Sequence, residues 1–164
     1  MALQRLIFMR HAKSSWDDPL LDDHERPLND RGRRDAPRIA EALHAKGWTP
    51  ETICTSTAQR TLETAELLMR ALPGPQTVIR VPDFYHASAD TVLNWLCVQD
   101  EPNGTLLLLG HNPGWSSLVE VYGGGVQRMP TAACAVFARS DEGTHWWHPE
   151  SWRLIDILRP KQFR

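Results

Sequence analysis

Three cysteines in 164 residues, Cys54, Cys97 and Cys134, are too few and too scattered for a disulfide framework. No Cys-x-x-Cys pair occurs, so the spacing argues against a structural zinc site. The thiols read as buried and free, which fits a reducing compartment. Charge of one sign is also lacking. Eighteen basic against twenty acidic residues leave a net charge of -2. Nothing draws the whole chain to nucleic acid or an anionic membrane, and an anion site would have to be local. No apolar run is long enough to span a bilayer. The N-terminal apolar stretch is too short for the core of a signal peptide, and Arg10 interrupts it. Repeats, low-complexity tracts and linkers are missing as well. The expectation is one soluble, cytoplasmic domain over residues 1–164, with neither nucleic acid nor membrane as partner.

What is present is an alternation of strand-like and helix-like stretches. Apolar runs over residues 3–9, 51–55, 77–81 and 105–109 read as strands. Helical patterns follow over about Arg33 to Lys46, with Asn29 or Asp30 as cap, and over Ala58 to Leu72. A third runs over Ala89 to Val98, with Ser88 as cap. A fourth starts with Asn112 as cap and Pro113 at its first position, and ends near Gly123-Gly124-Gly125. Residues 131–139 and 152–158 read as two strands joined by a polar loop, a hairpin that would supply one antiparallel strand. This pattern predicts an α/β fold, a three-layer α/β/α sandwich around a mostly parallel sheet.

Parallel strands put their carboxyl ends on one rim, where α/β sheets take ligands. Arg10-His11 follows the first strand, Ser56 the second, and His111 the run Leu106-Leu107-Leu108-Leu109-Gly110. Arg60 stands on the first turn of the helix after Ser56. Two guanidinium forks and two imidazoles are a set for phosphate. In such a pocket His11 would attack phosphorus and water would release the phosphate in a second step. His111 and the helix amino end at Pro113 would stabilise the added charge. Nearby cations and burial would push the pKa of His11 below its usual value of about 6.5. No metal or other cofactor is required by this scheme.

The stretches RHAKSSWDD, RPLNDRG, STAQRTLETAELL, LLLLGHNPGWSSLV and MPTAA occur in that order over nearly the whole chain. Together they resemble the histidine phosphatase superfamily, with its phosphoglycerate-mutase-like fold. Within it they resemble the small phosphohistidine phosphatases of the SixA type. The resemblance implies His11 as nucleophile and Arg10, Arg60 and His111 as the rest of the phosphate pocket. It also implies Ser14 and Asp17 at the entrance; Asp17 stands where relatives often carry Asn. Two features depart from the family pattern. Ala12 replaces the usual glycine after the histidine, so the backbone there must accept a side chain. No carboxylate matches the usual proton donor in Asp83-Phe84-Tyr85-His86 or in Gly110-His111-Asn112-Pro113.

That gap bears on substrate. Imidazole leaves more readily than an alkoxide, so a pocket without a strong acid suits a P–N bond. The expected activity is removal of phosphate from phosphohistidine on a signalling protein, such as a phosphotransfer domain. A small phosphorylated metabolite, ester or anhydride, is the alternative within the same fold. A phosphate-binding module without turnover is the alternative outside enzymology. Asp83 or His86 could supply a proton, and His86 divides between a substrate-binding role and packing. Arg26 divides between the phosphate rim and the surface. Lys13 reads as solvated. Trp16 and Trp115 are expected to wall the entrance. His145-x-x-His148 has a spacing that a metal could use on a helix, but the flanking tryptophans and Pro149 point to a loop or strand edge. Gly123-Gly124-Gly125 lacks the context of a nucleotide loop.

Overall fold

Leu6, Ile7, Phe8 and Met9 have no exposed surface, because their strand is covered on both faces. A computed structural model describes residues 2–140 and 145–164. β1 is Leu3–Arg10 and β4 is Gly104–Gly110, paired in parallel. β2, Thr52–Thr55, lies on the other side of β4, and β3, Thr77–Arg80, lies beyond β2; both pairings are parallel. β5, Cys134–Arg139, runs antiparallel to β1, and β6, Trp152–Leu158, runs antiparallel to β5. The order is β3-β2-β4-β1-β5-β6. β5 alone runs against the rest.

Alternate residues of the central strands enter two separate cores, which is why the runs are apolar without a polar beat. Ile7, Met9, Leu107 and Leu109 pack with Ile39 and Leu43 of α1, Asp30–Ala45, and with Leu68 of α2, Gln59–Ala71. Leu6, Phe8, Leu106 and Leu108 pack with Val92 of α3, Ala89–Leu96, and with Trp115 and Leu118 of α4, Gly114–Val119. Each such fully buried aliphatic side chain contributes about 2 kcal/mol to folding. The result is the expected α/β/α sandwich. No helix among the described residues is long and apolar enough to cross a membrane.

Several boundaries differ from the pattern reading for local reasons. α1 starts earlier than Arg33 because the Asn29 side chain accepts from the Gly32 N–H at 2.9 Å. Ser88 caps α3 through the Thr91 N–H, but the helix ends at Leu96, and Cys97 is exposed rather than buried. α4 begins at Gly114, one residue later than expected, after a cis Asn112–Pro113 peptide. Asn112 nevertheless caps it, its Oδ1 accepting from the Ser116 N–H at 3.2 Å. The chain then turns through Glu120–Gly124, and Gly123 takes a positive φ of 86°. β5 begins only at Cys134. Ala132 before it sits at φ 65°, and its N–H reaches both the Arg10 and the His11 carbonyls. The expected loop between β5 and β6 lies partly outside the described residues.

Two close approaches fix the loop after β1. Gly32 lies against the Lys13 carbonyl so tightly that a Cβ would overlap it. Asn29 N–H also donates to the Lys13 carbonyl at 3.0 Å, and Ser14 pairs with Leu28 as an isolated bridge. The RPLNDRG stretch thus clamps the RHAKS stretch. At the end of β4, Gly110 leaves room for the Trp115 indole, where a Cβ would strike the ring. Trp115 is therefore fully buried, with Nε1 donating to the Leu108 carbonyl at 3.0 Å, and does not wall the entrance.

Candidate active site

Strand register brings the two histidines together. Arg10 is level with Gly110, and Thr55 is level with Leu109. His11, His111 and Ser56 therefore leave the sheet side by side. The His11 N–H extends the ladder to the Gly110 carbonyl at 3.0 Å, and the Ser56 N–H bonds Leu109 at the same distance. The two imidazole centroids stand 5.2 Å apart. His11 is 6% exposed and His111 5%. Both are sunk but open to solvent.

The ring of His11 has a defined tautomer. Its Nδ1 lies 2.7 Å from the Ala12 carbonyl, which can only accept, so the proton is on Nδ1 and the lone pair is on Nε2. Ala12 itself is buried, and its N–H donates to Thr64 Oγ1 at 3.1 Å. The non-glycine positive-φ residues among those described are His86 and Ala132. The backbone at position 12 therefore needs no glycine, which explains how the methyl is tolerated. His111 Nε2 lies 2.8 Å from Ser56 Oγ, while its Nδ1 is buried with no partner. Arg10 and Arg60 each also bury an Nε with no partner.

The guanidinium of Arg60 is not free at its tips. Nη1 donates to the Asp23 carbonyl at 2.6 Å and Nη2 to the Asp23 carboxylate at 3.0 Å. That carboxylate also accepts from Tyr85 Oη at 2.6 Å and from Arg26 Nε at 3.2 Å. Asp23 is the site residue that the sequence did not single out. It sits on a single 3-10 turn, Asp23–Glu25, and returns to Arg60 across the fold. Arg26 is buried rather than on the surface. It donates to Ser14 Oγ at 2.9 Å and lies 3.5 Å over the ring of Trp16, which is 71% exposed.

The other candidates divide. Ser14 is buried within this network. His86 lies at its edge, its ring 6.3 Å from that of His111. Asp17 is exposed and belongs to a separate shallow cleft of about 170 Å³ with Asn29 and Arg33. The structure does not gather it with the four central residues. Lys13 is exposed. His145 stacks on Trp147, and His148 Nδ1 accepts from the Glu150 N–H, so that pair serves its own turn. The helix amino end offers less than expected. The Trp115 and Ser116 N–H groups already bond His111 and Asn112.

Electrostatics follow from this packing. Burial, with Arg60, Arg10 and Arg26 nearby, pushes His11 down to about 3 against the opposing bond to Ala12. Burial, with His11 and Arg60 adding, pushes His111 down to about 2. Burial works to raise Asp23, but the bonds from Tyr85 and Arg60 outweigh it and hold the carboxyl well below the usual range. Both imidazoles are thus neutral at neutral pH, each with an unprotonated ring nitrogen. The unfolded chain binds protons on them below about pH 6.5 and the folded chain does not, so stability falls as pH drops from 6.5 toward 3. Each ring costs about 2 kcal/mol at pH 5. Urea unfolding at pH 7 and pH 5 is expected to show a loss of about 2–4 kcal/mol, part of it abolished by His11→Asn. A pH-independent midpoint would contradict neutral rings.

Known proteins share this arrangement of chain. The profile of the histidine phosphatase superfamily, branch 1, matches residues 6–85. An uncharacterized chloroplastic protein of Arabidopsis thaliana is 33% identical over 170 residues, covering 96% of this chain and 78% of the relative. The chain belongs to the histidine phosphatase superfamily. Among solved histidine phosphatase structures, the protein assigned as phosphohistidine phosphatase SixA from Agrobacterium tumefaciens is 29% identical. It superposes with a TM-score of 0.81 over 98% of this chain and all of its own. A protein histidine phosphatase SixA complexed with tungstate shares the fold at 20% identity and a TM-score of 0.82, over 98% of this chain and 99% of its own. A mycobacterial glucosyl-3-phosphoglycerate phosphatase shares it at 16% and 0.67, over 92% and 97%. Superfamily and fold together support phosphatase activity.

Proposed function

We propose that this histidine phosphatase removes phosphate from phosphohistidine on a signalling protein, through a phosphoryl group carried transiently on Nε2 of His11. The observation that carries the reading is the set of buried polar atoms without partners, Arg10 Nε, Arg60 Nε and His111 Nδ1, around a ring whose lone pair is on Nε2. An unpaired buried donor costs about 1–3 kcal/mol, and a bound phosphate oxygen recovers it. Three guanidinium groups supply the charge that phosphoryl transfer needs, so the reaction proceeds without a metal. Arg10, Arg60 and His111 hold the phosphoryl oxygens. Ser14 stands behind Arg26, and His86 meets the substrate outside.

The leaving group favours a P–N bond. The carboxylate nearest the two imidazoles, Asp23, is held ionised and has no proton to give at neutral pH. Asp83 is exposed and does not line the cavity beside His111. A protein substrate fits a mouth with an exposed indole at its rim. The three free thiols suit a cytoplasmic setting. A panel of phosphohistidine peptide, phosphoramidate and sugar phosphates tests the reading. The kcat/KM on the P–N substrates is expected to exceed that on alkyl phosphates by at least about 100-fold. Equal turnover of a sugar phosphate would assign a small metabolite instead, and binding without turnover of any would leave a phosphate-binding module.

A further inference from the structure

The ionised Asp23 has no proton to give a leaving group. A cavity of about 260 Å³ opens beside His111, lined by His86, Ala87, Ser88, Asn112 and Pro113 among others. It adjoins the second histidine and gives a leaving group room beside it. His86 is the titratable side chain that it shares with the outside, 65% exposed. Its backbone is held at φ 56°, a left-handed conformation uncommon for non-glycine residues, though His, Asn and Asp adopt it more often than others. Such conformations persist where the surroundings enforce them, and they gather at working sites. Here the enforcement is visible. The ring packs on Tyr85 at 3.9 Å between centroids, and its Nε2 lies 3.7 Å from Asp23 Oδ2. Tyr85 is itself fixed by its bond to the same carboxylate and by the edge of His24 at 4.7 Å. The charged and titratable groups facing His86 are thus Asp23, Tyr85 and His111, with Arg60 and Arg26 behind the carboxylate.

We propose that His86 is the proton donor to the leaving group, held over the cavity by Asp23 and Tyr85. The inference rests on the phosphoryl-transfer reading of His11. In the first step the Nε2 lone pair of His11 forms a bond to phosphorus. The bond from phosphorus to the leaving nitrogen or oxygen breaks, and its electron pair takes a proton from Nδ1 of protonated His86. The Asp23 carboxylate, 3.7 Å from the other nitrogen, orients the ring. In the second step neutral His86 takes a proton from water as the water oxygen bonds to phosphorus. The P–N pair returns to His11, and both rings end as they began. An imidazole donor fills the place of the missing carboxylic acid, and its proton affinity matches an imidazole leaving group.

The test is a series of aryl phosphates from nitrophenyl to phenyl phosphate, assayed with the wild type and with His86→Asn. Asn accepts the left-handed backbone, and a melting curve checks the fold. The loss in kcat/KM is expected to grow with leaving-group basicity and to reach about 100-fold on phenyl phosphate. Asp23→Asn should lower kcat/KM on phenyl phosphate in the wild type and change it little in the His86→Asn background, because Asp23 acts here by holding the ring. A loss of one size across the series overturns the assignment, as does a wild type that accepts nitrophenyl but not phenyl phosphate. Acid-labile labelling of His11 by nitrophenyl phosphate reads the nucleophile independently. Its absence would sink the His11 reading and this inference with it, whereas labelling together with a loss of one size across the series would sink this inference alone.

Discussion

His11→Ala is expected to lower kcat by on the order of 10⁵-fold. The loss is large because in the proposed scheme the imidazole provides the bond through which the reaction runs, and no neighbouring group can replace it. His111 is nearest, but its Nε2 is engaged by Ser56. The cations remain in place, so the variant should still bind phosphate or vanadate within about tenfold of wild type. Steady-state turnover, calorimetric titration with vanadate and acid-labile labelling separate these effects. The label should disappear with the ring. A variant that keeps even a hundredth of the activity would show that water attacks phosphorus directly, and the covalent scheme would fall.

Arg60→Ala should cost on the order of 10³-fold in kcat/KM. Two effects combine. The transition state loses a charged donor, and Asp23 loses the partner that holds both its carbonyl and its carboxylate. The exposed negative charge then repels the incoming phosphoryl group. Arg60→Lys should recover little, because an ammonium cannot span two oxygens. Arg60→Ala with Asp23→Asn should recover part of the loss, and that non-additivity measures the repulsion. The acid limb of the pH–rate profile should also move up, since Arg60 helps keep His11 unprotonated. Strict additivity of the two substitutions would mean that Asp23 does not face the substrate.

The central pocket was readable because each member stands beside an unmistakable local signal. His11 and His111 follow apolar runs whose periodicity fixes them as two-sided strands, and their common rim follows from parallel pairing. Asp23 left no such signal. It is one of four aspartates between Trp16 and His24, and only the return of the loop to α2 distinguishes it from Asp17, which faces another cleft. Trp115 misled for a related reason. Its position after the histidine motif suggested the entrance, but the bare Cα of Gly110 lets the indole turn into the core. Cys97 misled because the apolar periodicity of α3 continues past the point where the backbone stops being helical. Patterns report which face a residue belongs to while an element lasts. They do not report where a loop comes back.

β1 carries Arg10 and delivers His11, and it is hydrogen-bonded on both sides, to β4 and to β5. Its outer neighbours are themselves paired, so no exposed edge lies next to it. Fraying begins at the margins of a sheet and works inward. The backbone beneath the reactive ring is consequently the last part of the sheet to come apart, and heat should extinguish catalysis in the same cooperative event that melts the whole molecule.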